Sequence, residues 1–246
     1  MKTKIFAHRG ASLTHPENTL EAFREAVRLG VDGIELDVQR TADRQLVVLH
    51  DEELTRLTGQ PGYVHEMSLE ALQSMNIAHH AGAFAAAPTL ESVFRLLSST
   101  DLQLNVELKN SIVTSPGMEE EVIELVSHFN LSDRVIYSSF NHLSMKRFAD
   151  LGLGEQAALL FSDWIYRPWD YAALIGVSSL HPSYNVLQYP NLIKVCRDNG
   201  IAVRTWTVDT PAHMDLVLAL EPDAMITNDP TLAMERRSQW EINHAT

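Results

Sequence analysis

Along Gly33 to Gln39, the aliphatic residues Ile34, Leu36 and Val38 alternate with Glu35, Asp37 and Gln39. A strand with this period carries its acids on one face and its aliphatics on the other. Ala42-Asp43-Arg44 breaks the alternation with turn chemistry, and Gln45 to Leu49 reads as a second short strand that doubles back to His50-Asp51. A histidine thus returns towards two carboxylates. An edge hairpin with one face in water would show the same pattern, so this stretch alone leaves both readings open.

Lys4 to Ala7 predicts a first strand, followed at once by the polar His8-Arg9-Gly10. Thr19 to Leu29 predicts a helix with Asn18 as cap, Glu21 at the capping-box position, Gly30 as stop and a buried stripe of Leu20, Phe23 and Val27. His8 and Glu35 are 27 residues apart, one strand, helix and loop of a barrel in which about 250 residues form eight such units. Leu102 to Leu108 predicts another main strand, with Asn105, Glu107 and Lys109 at spacing two on one face. Parallel packing of these strands would bring Glu35, Asp37 and Glu107 together with a lysine alongside. Bare carboxylates so close repel one another unless a cation binds them. Oxygen-only ligands point to Mg²⁺ or Ca²⁺ rather than zinc.

The same rhythm continues in strands at Val135 to Ser138, Ala157 to Phe161, Ser178 to His181, Ala202 to Thr205 and Ala224 to Ile226. Helices are expected between them, including Met118 to Phe129, Leu143 to Leu151, Tyr189 to Asn199 and Ala212 to Leu220. Eight parallel strands result, with the return strand before His50 outside the count. The expected fold is a TIM-type (β/α)8 barrel in one domain over residues 1–246. A small insertion after the second barrel strand, about 52–88, would lie over one mouth, because Glu52 to Pro88 is too long and irregular for a plain linker.

Other residues stand out less. His65, His79 and His80 lack nearby acids at ligand spacing and read as structural or solvent-facing; His128 and His142 fall on helices remote from the acids. His181 reads as a hydrogen-bonded structural histidine, and Trp164, Tyr166 and Trp169 as packing within a loop. Trp206 follows the seventh strand, at the end where barrel active sites are built.

Composition narrows the partners. Thirty-two acidic against 19 basic residues give a formal charge of −13, which speaks against a broad nucleic-acid surface or adsorption to anionic membranes. Cys196 is the single cysteine, so no internal disulfide can form, and a buried thiol in a reducing compartment is the simplest reading. Only seven residues precede His8, no run approaches the ~18 apolar residues of a membrane span, and the expected location is the cytoplasm. A homo-oligomer is left open.

The chain resembles the glycerophosphodiester phosphodiesterase family, cytosolic type. The matching pieces are His8-Arg9-Gly10, Pro16-Glu17-Asn18-Thr19, Glu35-Leu36-Asp37, His50-Asp51 with Arg56, Glu107-Leu108-Lys109, Ser138-Ser139-Phe140, Trp206-Thr207-Val208 and Thr227-Asn228-Asp229-Pro230. They run from residue 8 to 230 in the family's order. The resemblance implies a TIM-type barrel, a divalent metal held by Glu35, Asp37 and Glu107, and His8 and His50 as the acid and base pair. Arg9 and Lys109 would hold phosphate oxygens, and the motif position of Trp206 makes it a substrate contact. Leu57 and Asp209 depart from the family pattern, where Thr and Asn are frequent, which bears on substrate preference rather than on the chemistry.

With a dication and neutral histidines, Arg9, Lys109 and the three acids would leave the site one positive charge overall, matched to a phosphodiester monoanion. The implied substrate is a small glycerophosphodiester, cleaved to glycerol 3-phosphate and an alcohol. Two readings compete. A lipid-directed phosphodiesterase on the same scaffold is disfavoured by the absent leader, and a noncatalytic barrel by the presence of both histidines and all three acids.

Overall fold

A computed structural model describes residues 2–79 and 84–244. Among the described residues nine strands form one sheet: β1 (Lys4–His8), β2 (Gly33–Arg40), β3 (Leu46–Val48), β4 (Gln103–Leu108), β5 (Val135–Ser139), β6 (Ala157–Phe161), β7 (Ser179–Pro182), β8 (Ala202–Thr205) and β9 (Ala224–Thr227). Eight of them are parallel and close into a ring, because β1 pairs with both β2 and β9. β3 pairs antiparallel with β2, outside the ring, as the hairpin pattern predicts. The ring is wrapped by helices Leu20–Leu29, Leu90–Leu97, Met118–His128, His142–Asp150, Pro168–Ile175, Leu192–Asp198, Pro211–Leu220 and Pro230–His244. The fold is the predicted TIM-type barrel.

Strand alternation sorts side chains into two cores. Ile5, Ala7, Ile34, Leu36, Val38, Leu104 and Val106 face outward and pack beneath the helices, with Phe23, Phe94 and Phe148. Removing each such large side chain from water contributes roughly 1.5–3 kcal/mol. The inner cluster is smaller, holding Phe6, Ile136, Ala158, Ala224 and Ile226 with Trp206 against it. Glu35, Asp37 and Gln39 are also buried, at 3%, 1% and 5% exposure. The open-edge reading of β2 therefore fails: its acids face a barrel interior, not water.

Local chemistry explains most boundaries. The first helix is capped by Thr19, whose hydroxyl accepts from the Ala22 N–H at 3.2 Å, and stops at Gly30 in the left-handed conformation (φ 74°). Asn18 is not its cap; it has a left-handed backbone (φ 57°) and a buried side chain directed elsewhere. The predicted helix Tyr189 to Asn199 is shorter, because a 3-10 turn at Tyr184–Gln188 precedes Leu192–Asp198.

The segment after β3 carries short helices Thr55–Thr58 and Leu69–Gln73. Leu54, Leu57, Val64, Leu72, Met75 and Ile77 form a separate apolar cluster there with Val47 and Leu49. His80 lies outside the described residues. Trp169 packs edge-on against Tyr189 as expected, and Trp164, although 58% exposed, lies tilted against the same ring at 6.3 Å; Tyr166 is 83% exposed. His181 is fully buried with no hydrogen-bond partner on either ring nitrogen, contrary to the hydrogen-bonded role expected of it. Among the described residues no helix is long and apolar enough to cross a membrane.

Candidate active site

Parallel register sets the site. His8 lies beside Glu35, Glu35 beside Asn105, and Asp37 beside Glu107, all towards the carboxyl ends of β1, β2 and β4. One carboxylate oxygen from each of Glu35, Asp37 and Glu107 falls within 4.8 Å of the others. The three acids expected to converge do so.

Each acid is steered by a neighbour. Arg9 has a left-handed backbone (φ 57°) that aims its N–H at Glu35 Oε2, 2.9 Å away. A non-glycine residue in that region costs about 1–2 kcal/mol, offset here by a charge-assisted hydrogen bond. Gly10 follows with φ 79°, and a Cβ there would sit 2.7 Å from the Ala22 carbonyl carbon. Asn18 donates to Asp37 Oδ2 at 2.8 Å, and its own Oδ1 lies 3.4 Å from the Asp37 N–H. Lys109 donates to Glu107 Oε1 at 3.1 Å. Glu35 Oε1 and Asp37 Oδ1 remain buried without a hydrogen-bond partner.

Unpaired buried carboxylate oxygens require an explanation, and their electrostatics sharpens it. Burial, then the charges of Asp37 and Glu107, holds Glu35 well above the usual carboxylate range. Glu107 is raised by burial and by Asp37. Burial also opposes ionisation of Asp37, but Arg9, then His50 and Lys109, outweigh it and bring that carboxyl below its ordinary value. Three oxygen donors, two of them without partners, in a pocket that resists three negative charges fit a hard divalent cation.

The histidines flank the triad in different company. His8 Nδ1 is 2.7 Å from Asn228 Oδ1, and its Nε2 is 3.8 Å from Glu35 Oε2. Burial, then the charge of Arg9, lowers this imidazole to about 4. His50 Nδ1 is 2.6 Å from Asp51 Oδ1. Gln39 fixes that stretch by donating to the carbonyls of Leu49 and Asp51 at 3.0 and 2.8 Å, on either side of His50. Arg56 then links Asp51 to Glu17, and Glu17 accepts from Arg9 at 2.8 Å. The two arginines hold Glu17 below the usual carboxylate range against the effect of burial, which opposes its ionisation.

A cavity of about 70 Å³ opens among these groups, lined by the polar His8, His50, Glu35 and Glu107 and by the apolar Phe140, Leu160, Trp206 and Ile226. Trp206 is fixed by its indole N–H, which donates to the His181 carbonyl at 2.7 Å, and by Phe140 edge-on at 5.5 Å. Larger grooves lie elsewhere; one of about 440 Å³ runs between Arg44 and helix Met118–His128, lined by Glu91, Glu121 and Glu124, and shares no residue with this site.

The structure therefore gathers His8, His50, Glu35, Asp37, Glu107, Arg9, Lys109 and Trp206 at one mouth. Both cations also pair within the protein: Arg9 with Glu17 and Asp37 at 2.8 and 3.3 Å, and Lys109 with Glu107. It also brings in Glu17, Asn18, Gln39, Asp51, Arg56 and Asn228, to which pattern reading gave no site role. Five of these six stand in the short motifs at 16–19, 50–56 and 227–230; Gln39 was visible only as the next residue on the acidic face.

Fold and site define a (β/α)8-barrel enzyme with a buried acidic triad able to hold a metal ion at the carboxyl end of its strands. The sequence pattern of the glycerophosphoryl diester phosphodiesterase family matches residues 8–232. A glycerophosphodiester phosphodiesterase of Caldanaerobacter subterraneus subsp. tengcongensis is 40% identical over 234 residues, 94% of this chain and 96% of the relative. A solved glycerophosphodiester phosphodiesterase from Parabacteroides distasonis superposes with a TM-score of 0.85 at 25% identity, covering 97% of this chain and 98% of that one. An Oleispira antarctica phosphodiesterase, solved with its product sn-glycerol-3-phosphate, shares the fold with a TM-score of 0.83 at 22% identity over 96% and 97% of the two chains. The chain belongs to the glycerophosphoryl diester phosphodiesterase family.

Proposed function

We propose that this protein hydrolyses glycerophosphodiesters to glycerol 3-phosphate and an alcohol, using a divalent cation, Mg²⁺ or Ca²⁺, and a pair of histidines. The observation that carries the reading is the buried triad with two unpartnered oxygens, flanked by two imidazoles in unlike surroundings. The product bound by the Oleispira antarctica relative supports a substrate of this size and class.

Glu35, Asp37 and Glu107 are the ligands. When bound, the cation supplies positive charge to the phosphoryl oxygens as negative charge builds in the transition state. Arg9 and Lys109 anchor the ligand carboxylates and present their remaining donors to the phosphate. His8 is the base: burial, then the charge of nearby Arg9, keeps it unprotonated at neutral pH against the opposing pull of its Asn228 hydrogen bond, with Nε2 free to accept the proton of the attacking hydroxyl. His50 is the acid, the imidazole on the far side of the triad from His8, held through Nδ1 by Asp51 with Nε2 left to meet the leaving oxygen. As the new phosphorus–oxygen bond forms and the bond to the alcohol breaks, His50 Nε2 delivers a proton to the departing oxygen. Trp206 forms an apolar wall of the cavity.

Release of glycerol 3-phosphate from glycerophosphocholine, followed by a coupled assay with each metal added to chelated enzyme, tests this. His8→Ala and His50→Ala should each lower kcat by roughly 10²–10⁴-fold with unchanged circular dichroism. Near-normal turnover in either variant removes that residue from the mechanism.

A further inference from the structure

The Trp206-Thr207-Val208 motif continues with Asp209, the acid that stood out as a departure, and the structure gives it a task. Asp209 Oδ2 accepts from Asn228 Nδ2 at 2.7 Å, and Asp209 Oδ1 accepts from the Asn228 N–H at 2.8 Å and the Thr227 hydroxyl at 3.2 Å. An ionised carboxylate has no proton to give, so the amide of Asn228 must turn its nitrogen towards Asp209 and its oxygen away. That oxygen lies 2.7 Å from His8 Nδ1. The opposite amide orientation would set two acceptor oxygens 2.7 Å apart, which no hydrogen bond could hold.

The remaining neighbour does not decide the orientation. The Ser12 hydroxyl has one proton and two acceptors in reach, the His8 carbonyl at 2.8 Å and Asn228 Oδ1 at 2.9 Å. Since the backbone carbonyl can only accept, it competes for that proton, and Ser12 alone cannot fix the amide.

We propose that Asp209 is a positioning residue that acts through Asn228 to set the tautomer of His8, holding the proton on Nδ1 and leaving the Nε2 lone pair facing Glu35 and the cavity. With a non-acceptor at 209, the amide is free to turn. Its nitrogen then donates to His8 Nδ1, the ring proton moves to Nε2, and the imidazole can no longer accept a proton from a nucleophile. This inference rests on the proposed role of His8 as base for its effect on rate, but not for the tautomer itself.

Asp209→Ala is the test variant, since Asp209 lies at the surface outside the core; Asn228→Ala is the second. The ¹⁵N spectrum of histidine-labelled protein, with His8 assigned by its loss in His8→Ala, reads the tautomer directly in chelated and metal-loaded enzyme. Wild type should show His8 protonated at Nδ1, and both variants should show a mixture or the Nε2-protonated form. kcat should fall about 10–100-fold, the scale of losses when partners orienting a site residue are removed, with KM nearly unchanged. A wild-type His8 protonated at Nε2, or an Asp209→Ala spectrum identical to wild type, overturns the proposal whatever happens to the rate. A changed tautomer at an unchanged kcat upholds the Asp209–His8 link and refutes His8 as the base.

Discussion

If the triad is built for a cation, chelated protein should be destabilised by its own carboxylates and stabilised by the ion it lacks. Two full charges within 4.8 Å of each other repel by at least about 3 kcal/mol at an effective dielectric constant of about 20. Arg9 and Lys109, at 3.3 and 3.1 Å from Asp37 and Glu107, offset part of this. Glu35 Oε1 has no such partner, which is why burial and its neighbours push this acid up. Glu35→Gln is therefore the informative change: the amide oxygen can still accept from the Arg9 N–H, while the charge a cation needs is gone.

Differential scanning calorimetry reads the outcome. An ion at a hundred times its dissociation constant adds about 2.7 kcal/mol to stability. At about 2–4 °C per kcal/mol for a chain near this size, wild-type Tm should rise by roughly 5–11 °C. Chelated Glu35→Gln should melt no lower than chelated wild type and gain little from Mg²⁺ or Ca²⁺. The pH dependence has a definite sign. The folded pKa of Glu35 lies above its unfolded value of about 4.3, so its contribution is fully present below that pH and is lost as pH rises through the folded pKa. The Tm of chelated wild type minus that of Glu35→Gln should accordingly fall with rising pH over that window, while cation affinity rises as the proton is displaced. An equal ion-induced rise in both proteins, or none in wild type, would refute the assignment.

Two further changes probe the supports of the site. Lys109→Ala removes a buried charged donor worth about 1.5–3 kcal/mol, so kcat/KM should drop roughly 10–150-fold in the coupled assay; an unchanged value would make Lys109 structural. Gly10→Ala places a Cβ against the backbone of Ala22 at positive φ; left-handed strain of about 1–2 kcal/mol and overpacking of about 1–3 kcal/mol should lower Tm, and a near-unchanged melt would show that the loop can rebuild around it.

What sequence could convey depended on the range of the interaction. Period-two alternation in β2 and β4 carried the strands, their parallel order and the shared face of Glu35, Asp37 and Glu107, because one side of every barrel strand must face inward. It could not say whether that side was wet, since an edge hairpin and a barrel strand share the same pattern until a partner on the other side is known. Asn18 illustrates a second limit. An Asn just before an amphipathic run is a good cap by local rules, yet its side chain goes to Asp37, 19 residues away, and Thr19 caps instead. Tyr166 shows a related limit: aromatic identity suggests burial, but nothing local shows whether a loop folds back over it, and it is 83% exposed.

The charge balance shows how such long-range partners alter the chemistry. Counting only Arg9 and Lys109 with the triad and a dication leaves the site positive, as though it could draw in a phosphodiester with charge to spare. The structure adds Glu17 and Asp51, joined by Arg56, to the same network. Five carboxylates then face three cationic side chains, with the histidines neutral. Counted as fully ionised, these groups sum to two negative charges without a dication and to zero with one, so attraction for a phosphodiester comes from the placement of charge rather than from its sum. Glu17 lies between the two arginines, so its cost in net charge also holds Arg9 against Asp37 and Arg56 against Asp51, fixing the groups behind the triad and behind His50 at once. Cation binding and substrate binding are thereby coupled: a change that weakens the first should weaken the second, even at a residue that never touches phosphate.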